Sequence, residues 1–313
     1  MPAPPRPGPA TARRKTATDT ALTALAPAIW GSTYLVTTQF LPPDRPLLAS
    51  AVRALPAGLV LLAVTRTLPR GRWWWRAAVL GILNIGGFFS LLFAAAYHLP
   101  GGLAALVVSV QPMLVLLLSA LLLGERIRTP QAASCLLGTG GIALLVLRPD
   151  AGLDTAGVLS GLGAALCMAS GIVLTKRWGR PEGVGVAAFT GWQLTVGGLA
   201  LVPAFLAVEG VPGHLTGRNL AGFAYLSIVG SLFAYALWFR GIERLPALTV
   251  SFLGFASPLT ATVLGWLVLG ERWSPWQTAG AVAVLAAVAL AQPRTPRAVR
   301  ERPDRARLST HAS

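Results

Sequence analysis

The amino-acid sequence predicts an all-α integral membrane protein: ten transmembrane helices arranged as two inverted five-helix repeats. Three observations carry that prediction. The 313 residues are 54% hydrophobic and only 12% charged, whereas soluble domains carry about 25% charged residues. Charge-free apolar runs recur along the whole chain, many of them near the ~20 residues that cross a bilayer core. The second half of the chain also repeats landmarks of the first.

The apolar runs place spans near 20–41, 47–65, 77–97, 101–123, 130–147, 154–175, 185–208, 219–239, 246–269 and 275–292. Residues 1–19 are rich in Pro, Ala and Thr, carry Arg6, Arg13, Arg14 and Lys15, and read as a disordered basic tail. The apolar run that follows has no small-residue cleavage site, so it reads as a retained helix. Residues 293–313 form a second basic, Pro-containing tail. The expected organisation is therefore a tail over 1–19, one five-helix repeat over 20–147, a second over 154–292, and a tail over 293–313.

The net charge of +15 would point to nucleic acid if it formed one basic face. Here it sits at span ends and in the tails, which is membrane topology. With a cytoplasmic N-terminus, 21 Lys and Arg fall on the cytoplasmic side and four, Arg45, Arg148, Arg218 and Arg272, on the outer side. Cytoplasmic loops are enriched in these residues, so both termini are expected inside and the chain in the inner membrane. Arg outnumbers Lys 24 to 2, a bias of GC-rich bacterial genomes.

A shift of 146 positions lays Leu99-Pro100 on Leu245-Pro246, Pro112 on Pro258, Gly124-Glu125-Arg126 on Gly270-Glu271-Arg272, and Gln131 on Gln277, without a gap. A shift of 140 lays Gly58-Leu59 on Gly198-Leu199. Five spans per half is an odd number, so the second copy enters the membrane from the opposite side. Inverted repeats place a substrate site near the midplane between the halves.

These landmarks, with Trp30-Gly31-Ser32, Arg53 and the stretch Tyr235-Ala236-Leu237-Trp238-Phe239-Arg240, make the chain resemble the EamA family of the drug/metabolite transporter superfamily over residues 20–292. The resemblance implies ten helices around a central cavity. It further implies export or exchange of small metabolites such as amino acids by alternating access, with drug efflux as the alternative. A non-transporting sensor or a lipid flippase is the reading from a different class.

Candidate cavity residues follow from the high cost of polar groups in hydrocarbon. Asn84, Gln111, Gln193 and Ser257 are polar and lie inside spans, and Trp30, Tyr34, Phe88 and Tyr235 are aromatics inside spans. The aromatics are either cavity walls or interfacial anchors; Trp73, Trp74 and Trp75, beside Arg72 and Arg76, read as an interfacial belt. Pro112 and Pro258 lie mid-span and are expected to kink their helices and free the carbonyls of Val108 and Gly254. The kinks line a cavity or serve packing alone. The Glu125-Arg126 and Glu271-Arg272 pairs at span ends are gate pairs or solvated interfacial pairs. Arg53 is the one cation well inside a span. It either snorkels to the outer interface or faces the cavity as an anchor for a carboxylate or carbonyl.

No Asp or Glu lies mid-membrane. Cys135 and Cys167 sit in apolar runs without metal or redox spacing, and His98, His214 and His311 are scattered, so no metal, cofactor or catalytic centre is expected. The expected partners are a small-molecule substrate and the lipid bilayer, with no nucleic acid. The sequence carries no signal for oligomeric state.

Overall fold

The structure, a computed structural model, describes residues 9–43, 45–98, 107–146, 154–269 and 274–291. The helices of the first half are α1 (Pro9–Gly31), α2 (Thr33–Phe40), α3 (Pro46–Thr65), α4 (Trp73–Gly81), a π-helical segment π1 (Ile82–Gly87), α5 (Phe88–His98), α6 (Gln111–Leu123) and α7 (Thr129–Val146). Those of the second half are α8 (Thr155–Trp178), α9 (Val186–Val208), α10 (Gly217–Ser227), a second π segment π2 (Ile228–Phe233), α11 (Ala234–Arg244), α12 (Ala247–Leu253), α13 (Ala256–Leu269) and α14 (Pro275–Ala291). Six helical stretches among the described residues are long and apolar enough to cross a bilayer: Pro46–Thr65, Trp73–Ala95, Thr155–Trp178, Val186–Val208, Gly217–Arg244 and Ala247–Val268. The chain is a multi-pass membrane protein.

Helix ends follow local chemistry. Asp154 caps α8, its carboxylate accepting from Gly157 N–H at 2.9 Å, and Thr216 and Asn219 form a reciprocal capping box on α10. Gly124 ends α6 in the left-handed region, φ 69°, its N–H bonding Ser119 O, as glycines past helix ends do. The first Gly-Glu-Arg copy is thus a helix stop, with Glu125 and Arg126 both exposed. The second copy, Gly270-Glu271-Arg272, lies outside the described residues, as do Leu99-Pro100 and the basic tail beyond residue 291.

The expected start of the first span needs correction. Helix α1 opens at Pro9, so residues 9–19 are helical where a disordered tail was expected. Proline suits a helix's first turn, and lengthening a formed helix avoids the nucleation cost. Asp19, placed in that tail by sequence, anchors the segment through Arg240 and Arg244. The span also breaks at Ser32, whose Oγ donates to Ile29 O at 2.6 Å. In the expected fourth and ninth spans the helix is interrupted just before the prolines, at 109–110 ahead of Pro112 and at 254–255 ahead of Pro258. Gly254 O, expected to be freed, accepts from Ser257 N–H at 3.0 Å, a tightened turn that satisfies it.

The packing repeats when the halves are exchanged. Helix α1 packs on α11 and α13, and α8 packs on their counterparts α5 and α6. Helix α3 packs on its own counterpart α9, and α7 on α14. The π segments fall 146 residues apart, the shift read from the sequence. Helices α3 and α9 run antiparallel, with Gly58 against Thr195 and Gly198 against Leu55; a shift of 140 turns each contact into the other. Small residues let membrane helices approach this closely. A Cβ on Gly198 would lie 2.7 Å from Leu55 Cα, so Gly198→Ala should sharply lower the yield of monodisperse, detergent-stable protein. The exposed Gly140, with open space around it, should tolerate Ala in the same assay.

Candidate functional site

The break in the first span creates one wall of a cavity. Gly31 abuts α13 so closely that a Cβ would sit 2.7 Å from Thr260 Cβ. Only glycine lets α1 meet the kinked helix there. Ser32 Oγ and Tyr225 Oη lie 2.7 Å apart, tying the break to α10. Two residues earlier, Trp30 Nε1 donates to Gly230 O in π2 at 2.9 Å. The irregular hydrogen bonding of π segments often marks functional sites, and here a π carbonyl receives an indole.

Trp30 stands among rings: Tyr235 at 4.8 Å and Trp238 at 5.1 Å between centroids. Phe89 faces Tyr235 at 6.3 Å, and the Arg53 guanidinium lies over Phe89 at 4.4 Å. Arg53 is 4% exposed, so it turns inward and does not snorkel. Gln111 Nε2 donates to Ser251 Oγ at 3.3 Å, joining α6 to α12 across the halves.

These groups line a cavity of about 630 Å³. Its lining includes the aromatic residues Trp30, Phe88, Phe89, Tyr235 and Trp238, the groups Gln111, Pro112, Ser257 and Pro258, and the segment Leu41, Pro42, Pro43 and Arg45. Among the described residues, the charged ones lining it are Arg45 and Arg53, both cations. At the mouth Arg45 donates to Glu209 O and Gly210 O at 2.8 and 2.7 Å, while the Glu209 carboxylate accepts from Leu47 and Leu48 N–H at 2.6 and 2.8 Å. Each side chain caps the other's helix, a favourable use of both helix dipoles.

The opposite end is latched. Asp19 pairs with Arg240 at 2.5 Å and Arg244 at 3.3 Å, and Arg180 Nε meets Glu243 Oε1 at 2.6 Å. Lys176 Nζ donates to Ile242 O, Glu243 O and Leu245 O at 3.0, 3.2 and 2.9 Å, closing the C-terminus of α11. Thr23 lies directly against Gly241. From Asp19 to Phe40 the chain climbs roughly 30 Å at 1.5 Å per residue, so the latch and the mouth lie at opposite ends.

Six sequence-derived candidates therefore meet at one cavity: Trp30, Arg53, Phe88, Gln111, Tyr235 and Ser257, with both kink prolines. The side chain of Tyr34 is outside the described residues. Asn84 and Gln193 do not line the cavity. Asn84 Nδ2 donates to Gln193 Oε1 at 2.8 Å, so these two amides bond to each other between helices instead of facing the cavity. Trp74 and Trp75 are exposed as an interfacial belt requires, but Trp73 turns inward onto Phe189 and Trp192. Sequence reasoning missed Phe89 and the latch. Phe89 had a signal, because a shift of 146 lays it on Tyr235. Among the described residues no cluster of His, Cys, Asp or Glu is arranged to hold a metal.

The model of the EamA-like transporter family matches residues 20–147 and again 155–291. Protein PecM of Dickeya dadantii is 50% identical over 85% of this chain and 90% of its own length. A WAT1-related chloroplastic protein of Arabidopsis thaliana is 30% identical over 83% of this chain and 66% of its own. One solved crystal structure matches with a TM-score of 0.76 over 88% of this chain and 98% of that one, at 23% identity, a likeness of fold. With two copies of the family pattern covering nearly all of its apolar length, the chain belongs to the EamA-like transporter family.

Proposed function

We propose that this membrane transporter has ten spans in two inverted halves. In this reading it exports or exchanges small anionic or zwitterionic metabolites, such as amino acids, by alternating access across the inner membrane. The observation that carries the reading is a deep cavity, walled by rings and holding Arg53, that ends at the 41–46 loop and is latched at its other end. Such a shape is half of a transport cycle, with a site accessible from one side only. Inversion is supported by the antiparallel α3–α9 contact, which maps onto itself when the halves exchange. A half-turn that relates two antiparallel helices has its axis across them, in the plane of the membrane. Two equivalent halves make the two facing states similar in energy, which alternation needs. The Lys and Arg bias supports cytoplasmic termini.

A drug exporter is the second reading, favoured by the aromatic walls. The lining carries no acid among the described residues, which disfavours cationic drugs. Purified protein in liposomes, offered labelled amino acids, organic acids and cationic drugs, separates the two. Uptake of acids or amino acids above empty liposomes is expected; uptake of cations alone would contradict the proposal.

A further inference from the structure

The amides that the cavity leaves out form a cluster of their own. Asn84 is 1% exposed and Gln193 is fully buried. Asn84 Nδ2 also approaches Thr175 Oγ1 at 3.5 Å, and Gln193 Nε2 reaches Phe189 O at 3.4 Å. Asn84 Oδ1 has no hydrogen-bond donor among the described residues, and neither does Thr190 Oγ1, one turn before Gln193 on α9. Buried acceptors without donors are rare and call for an explanation. Gly171 on α8 leaves the room Asn84 occupies, since a Cβ there would collide with Oδ1.

Exchange of the halves supplies that explanation. Gln193 follows Arg53 by 140 positions, and Asn84 precedes Gly230 by 146. Arg53 and Trp30, the latter bonded to Gly230 O, lie at the open cavity. The amide cluster therefore holds, in the exchanged halves, the positions that Arg53 and Gly230 hold beside the open cavity. It also lies under the latch: Thr175, which meets Asn84, precedes Lys176, which holds the end of α11.

We infer that Asn84, Gln193 and Thr175 form a second substrate station, closed in this conformation and uncovered when the Asp19–Arg240 and Lys176 latch opens. The inference rests on the alternating-access reading. The station is neutral and offers amide and hydroxyl groups, so it takes the polar head of the same small metabolite by hydrogen bonds without a fixed charge. Arg53 holds an anionic head by charge at one end, and the amides receive it at the other.

The test uses the full chain with Cys135 and Cys167 replaced by Ala, in sealed right-side-out and inverted vesicles, with a membrane-impermeant maleimide as probe. Transport by this background protein is measured first, so that failure of the transporter reading is seen there and not confused with failure of the station. Ser257→Cys should react from the face bearing the 41–46 loop, and Gln193→Cys from the opposite face only. Adding Asp19→Asn should speed Gln193→Cys and slow Ser257→Cys, each by about tenfold. Thr175→Cys serves as a second probe of the station. Silence of Gln193→Cys and Thr175→Cys from both faces, with Asp19→Asn present and Ser257→Cys reactive, overturns the station, as does labelling of all three from one face. Gln193→Ala should raise KM several-fold from the latch face only, and Gln193→Asn should restore most of it; an unchanged KM at that face overturns the binding role.

Discussion

Arg53→Gln is expected to lower kcat/KM for an anionic or zwitterionic substrate by roughly 10- to 100-fold. A hydrogen bond to a charged group is worth about 1.5–3 kcal/mol, and about 1.4 kcal/mol corresponds to each tenfold. Arg53 is buried against Phe89 at the cavity, with little water to screen it. Among the described lining residues only Arg45 shares its charge, and Arg45 already caps α9 at the mouth. Glutamine keeps donors but loses the positive charge and the guanidinium fork. Arg53→Lys should fall between, because an ammonium keeps the charge without the planar fork or the same stacking on the ring. The measurement is initial uptake into liposomes at equal reconstituted protein. Wild-type uptake of an amino acid by Arg53→Gln would remove the anchor role. Loss of folded protein alone would make Arg53 structural. Loss of anions with a gain of cations would show that its charge sets selectivity.

How much of this site was legible from sequence depends on distance along the chain. The duplication was, because prolines and a Gly-Glu-Arg triplet recur at one spacing, and the two helix interruptions fall at those prolines. The inward turn of Arg53 was half legible. Its depth could be counted from the span end, but a helix apolar on nearly every side has no stripe to say which side faces the core. Asn84 and Gln193 illustrate the same limit, since depth requires a partner for each amide without saying whether it is a cavity or another amide. The π segments left no compositional trace. Asp19 finds Arg240 across 221 positions, and no local pattern reports that contact. Lys176 sits where a span end normally places a solvated cation, and only the fold brings the carbonyls of α11 to it.

The second large effect is expected at the latch. Asp19→Asn removes the negative charge shared by Arg240 and Arg244, keeping only a neutral amide oxygen as acceptor, and leaves two cations facing each other. The Asp19 side chain is 16% exposed, so the pairs lie between surface bridges, worth about 0–1 kcal/mol, and buried ones, whose one-sided loss costs about 3–5 kcal/mol. An intermediate loss of about 1–3 kcal/mol would shift the balance of facing states by roughly 5- to 150-fold. Arg240→Gln should shift it in the same direction. The expected result is faster exchange from the latch face and poorer labelling of Ser257→Cys from the mouth. His98 and Asp154 form the corresponding pair at the other end, looser at 3.6 Å and about half exposed. Asp154→Asn should therefore change the balance far less. Equal effects of the two substitutions would contradict the latch.

The central claim is that the two ends open in alternation around one cavity. The direct measurement is a pair of spin-label distances in lipid, one across the mouth between Pro43→Cys and Thr155→Cys, the other across the latch between Ala17→Cys and Glu182→Cys. All four positions are exposed. Adding Asp19→Asn, or a substrate found in the liposome screen, should shift the two distance distributions in opposite senses, the mouth shortening as the latch lengthens. Distances that lengthen together, or that stay fixed in protein that transports, would contradict the account.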